Sequence, residues 1–168
     1  MTSKTPDIPN LLHKAQSLGV TIATAESCTG GMIAAALTDV PGSSAVLDRG
    51  FVTYSNAAKM QMLGVQSSTL DETGAVSEET AGEMAEGARR AAGVTLAVSV
   101  TGIAGPGGSE FKPEGRVCFG LSRTGVETLT QTIEFGALGR EQVRQSSCDH
   151  ALSLLWHALL QMERETGS

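Results

Sequence analysis

Between residues 10 and 100 the apolar positions of this chain switch repeatedly between helical spacing and short β-rich runs. Leu11, Leu12, Ala15 and Leu18 predict a helix over Asn10–Leu18, with Gly19 suited to end it. Val20–Ala25 follows as a β-rich run and leads into the turn Glu26-Ser27-Cys28-Thr29-Gly30-Gly31. Met32, Ile33, Ala36 and Leu37 mark one face of a helix that stops near Val40-Pro41-Gly42. Val46–Tyr54 reads as a second strand, and Ser55 or Asn56 can cap a short helix running to Leu63 before Gly64. Leu70–Ser77 reads as a loop. A longer helix opens at Ser77-Glu78-Glu79-Thr80, carries Ala81, Met84, Ala85, Ala88 and Ala92, and ends at Gly93. Thr95–Val100 is nearly all apolar, as expected of a strand covered on both faces.

The last third has a different rhythm. Arg116–Ser122 and Glu127–Ile133 alternate and predict a hairpin around Arg123-Thr124-Gly125. A final helix is predicted over Arg140–Glu163, with Val143, Ser147, Ala151, Leu154, Leu155, Ala158 and Met162 inward. Met1–Pro9 reads as a frayed lead-in. Alternating strands and helices followed by a hairpin and a closing helix predict an α/β fold, a three-layer α/β/α sandwich with a mixed sheet. One domain is expected over residues 1–168, with its core at about 11–160.

Composition narrows the function. Aromatics are only 4 % while glycines number 20, so the core must be built from small and aliphatic side chains with close backbones. The formal net charge of −6 speaks against nucleic-acid binding, which needs a basic field. Cys28, Cys118 and Cys148 are far apart and form no paired motif, so neither a metal site nor a disulfide framework is expected. Reduced thiols, and the lack of a leader or a membrane-spanning run, predict a cytoplasmic protein with no membrane partner.

Open α/β sheets bind ligands at the carboxyl ends of their strands. Three chemically rich loops follow predicted strands here: Glu26–Gly31, Tyr54–Lys59 and Thr101–Gly108. In the first, Ser27 can project from the sheet edge while the amides of Cys28, Thr29, Gly30 and Gly31 are available to an oxyanion or phosphate. A plain helix cap by Ser27 or Thr29 is the alternative. In the second, a cap at Ser55 or Asn56 puts Lys59 in the first helical turn, where the dipole disfavours its charge and suits it to act as a base. The alternative is a solvated surface lysine. In the third, four glycines and a proline in eight residues suit a backbone that wraps a ligand. Arg140 and Arg144 open the last helix at i,i+4, for phosphate contacts or surface ion pairs. His13, His150 and His157 all fall on predicted helices away from these loops. A serine–histidine–aspartate triad is therefore not predicted, and Lys59 is the candidate base for Ser27.

Five ordered segments resemble one family. They are Ala25–Gly31, Val40-Pro41-Gly42-Ser43-Ser44, Val52-Thr53-Tyr54-Ser55-Asn56 with Lys59, Gly74-Ala75-Val76-Ser77, and Thr101–Gly108. Together they are similar to the signature of the CinA C-terminal domain family, over about Leu11–Leu160. That family includes stand-alone nicotinamide-nucleotide amidohydrolases and the C-terminal part of larger competence/damage-inducible proteins. The resemblance implies an anticodon-binding-domain-like α/β/α fold and hydrolysis of the carboxamide of nicotinamide mononucleotide. It implies Ser27 as nucleophile with Tyr54 and Lys59 as partners. It further implies substrate contacts from Cys28, Thr29, Gly30, Gly31, Ser43, Thr101, Gly102, Ala104, Gly105 and Arg140. A small-molecule nucleotide is the expected ligand and a homo-oligomer the expected assembly, with no metal or cofactor. The alternative is a non-catalytic module that binds a pyridine nucleotide or ADP-ribose.

Overall fold

The computed structural model describes residues 6–109 and 111–167; the first five residues of the expected lead-in lie outside the described residues. Among the described residues five strands form one mixed sheet: β1 (Ile22–Glu26), β2 (Leu47–Val52), β3 (Leu96–Gly102), β4 (Arg116–Arg123) and β5 (Val126–Glu134). Their order across the sheet is β2-β1-β3-β4-β5. β1 runs parallel to both β2 and β3, whereas β4 and β5 form an antiparallel hairpin beside β3.

Among the described residues six α-helices flank the sheet: α1 (Ile8–Ser17), α2 (Met32–Thr38), α3 (Asn56–Leu63), α4 (Ser67–Thr73), α5 (Glu78–Ala92) and α6 (Arg140–Thr166). The strand alternation sorts side chains to the two layers. Ile22, Leu96, Val98, Val100 and Phe119 pack with α1, α2 and α6. Ala23, Ala25 and Ala97 face the other way, against Leu63, Leu70, Met84 and Ala88 of α3, α4 and α5. The three-layer α/β/α expectation is met.

The small residues have a packing reason. Ser99 Oγ donates to Ala81 O at 2.5 Å, and a Cβ on Gly120 would stand 2.4 Å from the same carbonyl. Helix α5 therefore lies almost on the sheet backbone. At Gly87 a Cβ would fall 1.9 Å from Leu63 O. Alanine is favoured over glycine in a helix by ~1 kcal/mol, but a contact that short forces α3 and α5 apart. Gly87→Ala is expected to lower stability by about 2 kcal/mol or more. Urea unfolding that finds equal or greater stability would contradict this packing.

One expected loop is partly a helix. Residues 70–77 read as irregular, yet α4 runs through Thr73. Its N-cap residue, Gln66, makes no side-chain cap. Instead Glu83 of α5 accepts from Gln66 N at 2.8 Å and from Thr69 Oγ1 at 2.5 Å. Seven residues are too few to hold a helix alone, and the stabilising acid comes from another element.

Because β1, β2 and β3 are parallel, the three loops after them emerge on one edge. The chain leaves β1 toward β2 on one side and reaches β3 on the other, the topology that opens a crevice at the strand ends. The start of α6 reaches the same edge. Among the described residues no helix is long and apolar enough to cross a membrane.

Candidate active site

Ser27 directly follows β1, the middle one of the three parallel strands. Its amide donates to Val100 O at 3.0 Å, while Thr53 N donates to Glu26 O at 2.8 Å. The sheet ladder thus holds the backbone on both sides of the serine. The Glu26 side chain, fully buried, turns under the following helix: Oε1 accepts from Thr29 Oγ1 (2.6 Å), Gly31 N (3.2 Å) and Ile33 N (3.0 Å), and Oε2 accepts from Ala34 N (3.1 Å).

Lys59 comes from helix α3, which follows β2. Ser55 is the N-cap of α3, accepting from Ala58 N at 3.0 Å, so Lys59 does sit at the start of the helix. It shares an inward face with Leu63 and is 1 % exposed. Its Nζ donates to Ser27 Oγ at 3.0 Å and to Thr53 O at 2.8 Å. A lysine so completely buried is unusual, because the ammonium form loses its water there. The solvated-surface alternative does not apply.

Ser27 and Lys59 open into a cavity of about 360 Å³, within the range of small-ligand sites. Its wall includes Cys28, Tyr54, Thr101, Gly102, Ala104, Gly105 and Arg140 from the expected set. Asn56, Ala75, Val76 and Ile103 also line it; they lie in segments the sequence singled out but were not among the expected contacts. The glycine-rich loop is shaped from behind. Glu114 Oε1 accepts from Gly107 N at 3.1 Å, and a Cβ on Gly105, whose φ is 94°, would lie 1.8 Å from that oxygen. Thr101 Oγ1 donates to Ala75 O at 2.8 Å, and Lys112 Nζ donates to Thr73 O at 2.6 Å, tying the opposite wall in place.

At the mouth, Arg140 bridges two loops. Its Nη1 donates to Gly105 O at 2.7 Å and its Nη2 to Tyr54 Oη at 2.9 Å. Tyr54 is 65 % exposed, so its hydroxyl is a rim group beside the arginine. Arg144, one turn on, supports the serine turn: Nε donates to Cys28 O at 3.0 Å and Nη2 to Thr29 O at 3.4 Å.

Four expected contact residues stand off the cavity wall. Thr29 is buried against Glu26, and the Gly30 and Gly31 amides are already committed, to Ser27 O and Glu26 Oε1. Ser43 opens a short 3-10 turn after α2 and its amide donates to Val40 O. Of the turn's expected contact residues, Cys28 is the one that lines the cavity. Cys28 is not a competing nucleophile. Burial pushes its thiol up to about 11, against smaller downward pulls from its own backbone N–H and from Arg144, so it stays protonated at neutral pH. None of the three histidines lines the cavity. His150 instead packs on Phe119 and bonds Gln131, with burial lowering its pKa. Among the described residues no group of three or more metal-ligating side chains converges.

Fold and site define a class: a three-layer α/β protein with a serine–lysine pair at the carboxyl end of its central parallel strand. Residues 8–159 match the model of the CinA C-terminal domain, and the chain belongs to that family. It is 51 % identical over 144 residues to the nicotinamide-nucleotide amidohydrolase PncC of Escherichia coli strain K12, across 85 % of this chain and 87 % of that protein. A CinA-like protein of Chlorobium phaeobacteroides is 55 % identical over 145 residues, across 84 % of this chain but 34 % of the relative. The chain thus spans about a third of that longer protein. The crystal structure of a competence/damage-inducible protein from Agrobacterium tumefaciens superposes with a TM-score of 0.84 at 46 % identity, covering 95 % of this chain and 99 % of the other.

Proposed function

We propose that this chain hydrolyses the carboxamide of nicotinamide mononucleotide, giving nicotinate mononucleotide and ammonia through a covalent intermediate on Ser27. The observation that carries this reading is the 3.0 Å bond between Lys59 Nζ and Ser27 Oγ, with the lysine buried and both groups on a nucleotide-sized cavity. The similarity to PncC supports the substrate.

The chemistry runs as follows. Burial and the start of α3 both oppose the ammonium form, which leaves the amine able to take a proton. Lys59 removes the Ser27 proton as Oγ attacks the amide carbon. The Cys28 amide, beside the nucleophile, steadies the oxyanion. Collapse expels ammonia, which leaves with the proton held by Lys59. A water molecule then gives a proton to Lys59 and attacks the acyl carbon, releasing the carboxylate and restoring the Ser27 hydroxyl. A purified chain should release ammonia from nicotinamide mononucleotide; none over hours at micromolar enzyme would overturn the assignment.

Arg140 is the phosphate contact in this reading, because it is the guanidinium on the cavity wall. Arg140→Leu is expected to raise KM for nicotinamide mononucleotide by about tenfold or more, as for loss of a charge-assisted pair. The riboside, which lacks the phosphate, should hardly notice the change. Equal effects on both substrates would remove Arg140 from the phosphate site. A nucleotide-binding module without catalysis would need no activated hydroxyl, and the Lys59–Ser27 bond favours the enzyme.

A further inference from the structure

Glu26 has no role in the chemistry above, yet it is 0 % exposed, stands one residue before Ser27, and spends both carboxylate oxygens on residues 29–34. A buried carboxylate is tolerated when its oxygens are saturated with donors, and here four donors converge. Helix α2 has no cap of its own: its N-cap residue is Gly31, with φ 110° and no side-chain bond. The cap is supplied from the strand, five residues upstream.

The geometry makes a ring. The Glu26 backbone is fixed in the sheet, paired with Val52 on one side and Val100 on the other. Its carboxylate reaches forward to Gly31 N. Residues 27–30 therefore hang between the backbone and the side chain of one residue. Gly30 (φ 58°) and Gly31 (φ 110°) would otherwise leave this turn among the most mobile of backbones. Arg144 holds the same turn from outside through the carbonyls of Cys28 and Thr29. An ordinary cap at Gly31 would steady the helix but leave the serine turn free.

We infer that Glu26 is a positioning residue: its carboxylate closes the turn of residues 27–31 and so keeps Ser27 Oγ at bonding distance from Lys59 Nζ. This rests on the reading of Ser27 as nucleophile. Position, rather than charge alone, is the quantity held.

Two variants separate the two. Glu26→Gln keeps the length and one acceptor oxygen but turns an amide N–H toward Ala34 N. Glu26→Asp keeps the charge but withdraws both oxygens by ~1.5 Å, one carbon–carbon bond. A misplacement of about 1 Å can cost 10²-fold in rate. Glu26→Asp is thus expected to lower kcat about 100-fold and Glu26→Gln about 10-fold, each with KM for nicotinamide mononucleotide within about twofold of wild type. Assays run well below each variant's Tm. The rate at which a fluorophosphonate probe labels Ser27, read by mass spectrometry, should fall in the same order. If neither variant folds, Thr29→Val removes one donor from the carboxylate and should lower kcat about fivefold at unchanged KM.

An aspartate variant within about threefold of wild type in kcat and labelling would overturn the inference, as would losses confined to KM. An aspartate variant more active than the glutamine one would show that charge, not position, is what Glu26 supplies. Wild-type protein that is labelled at Ser27 but releases no ammonia sinks the substrate reading, and the labelling order still decides Glu26. Wild-type protein that is never labelled overturns both.

Discussion

Replacing Ser27 by alanine should lower kcat for nicotinamide mononucleotide by about 10⁴-fold or more, as removal of a nucleophile does elsewhere. The fold should survive. The hydroxyl's bond to Lys59 is a single hydrogen bond, with a net worth of ~1 kcal/mol. KM should stay near wild type, since the cavity wall and Arg140 are untouched. Rapid quenching of the wild-type reaction should find the nicotinoyl group on the peptide that carries Ser27, and the alanine variant should show none. Cys28 cannot substitute as nucleophile, because its thiol is pushed up to about 11 by burial. An alanine variant with more than about a tenth of wild-type kcat would remove Ser27 from the mechanism.

The second large effect concerns the base. Lys59→Met keeps most of the buried volume and removes the amine; the expected loss in kcat is about 10³-fold, within the span of general base catalysis. Lys59→Arg is the sharper variant. Arginine keeps the positive charge and its donors but does not deprotonate in proteins. If Lys59 merely held Ser27 as a cation, arginine would retain much of the rate. As a base, arginine should be about as inactive as methionine. A Lys59→Arg enzyme with near wild-type turnover would contradict the mechanism, whatever the methionine variant did.

These predictions rest on unequal foundations. Local signals in the sequence are strong wherever a residue acts on its own neighbours. Ser55 before Asn56, Ser77 before Glu78 and Gly64 and Gly93 at helix ends all cap as their types require, because a cap is satisfied within one turn of chain. The apolar run of β3 reads as a strand covered on both faces because its own side chains are the two cores. Even the serine turn was legible, as a short polar segment with two glycines between a β-rich run and a helix.

What the sequence could not decide is whatever depends on a partner distant along the chain. Lys59 looks like a surface lysine until β1 brings Ser27, 32 residues earlier, to its amine. Glu26 looks like one more acid at a turn until α2 folds back over it. Helix α4 lacks a local cap and is held by Glu83 of another helix. Ser43, expected as a contact through the family resemblance, and the second half of the serine turn, expected from its glycines, have amides that already serve neighbouring backbone or Glu26. Composition and periodicity therefore determined the strands, every helix but α4, and which loops are chemically rich. Only the tertiary structure decided which side chains are buried together, because burial and pairing between distant residues are what turn an ordinary lysine and serine into a reactive pair.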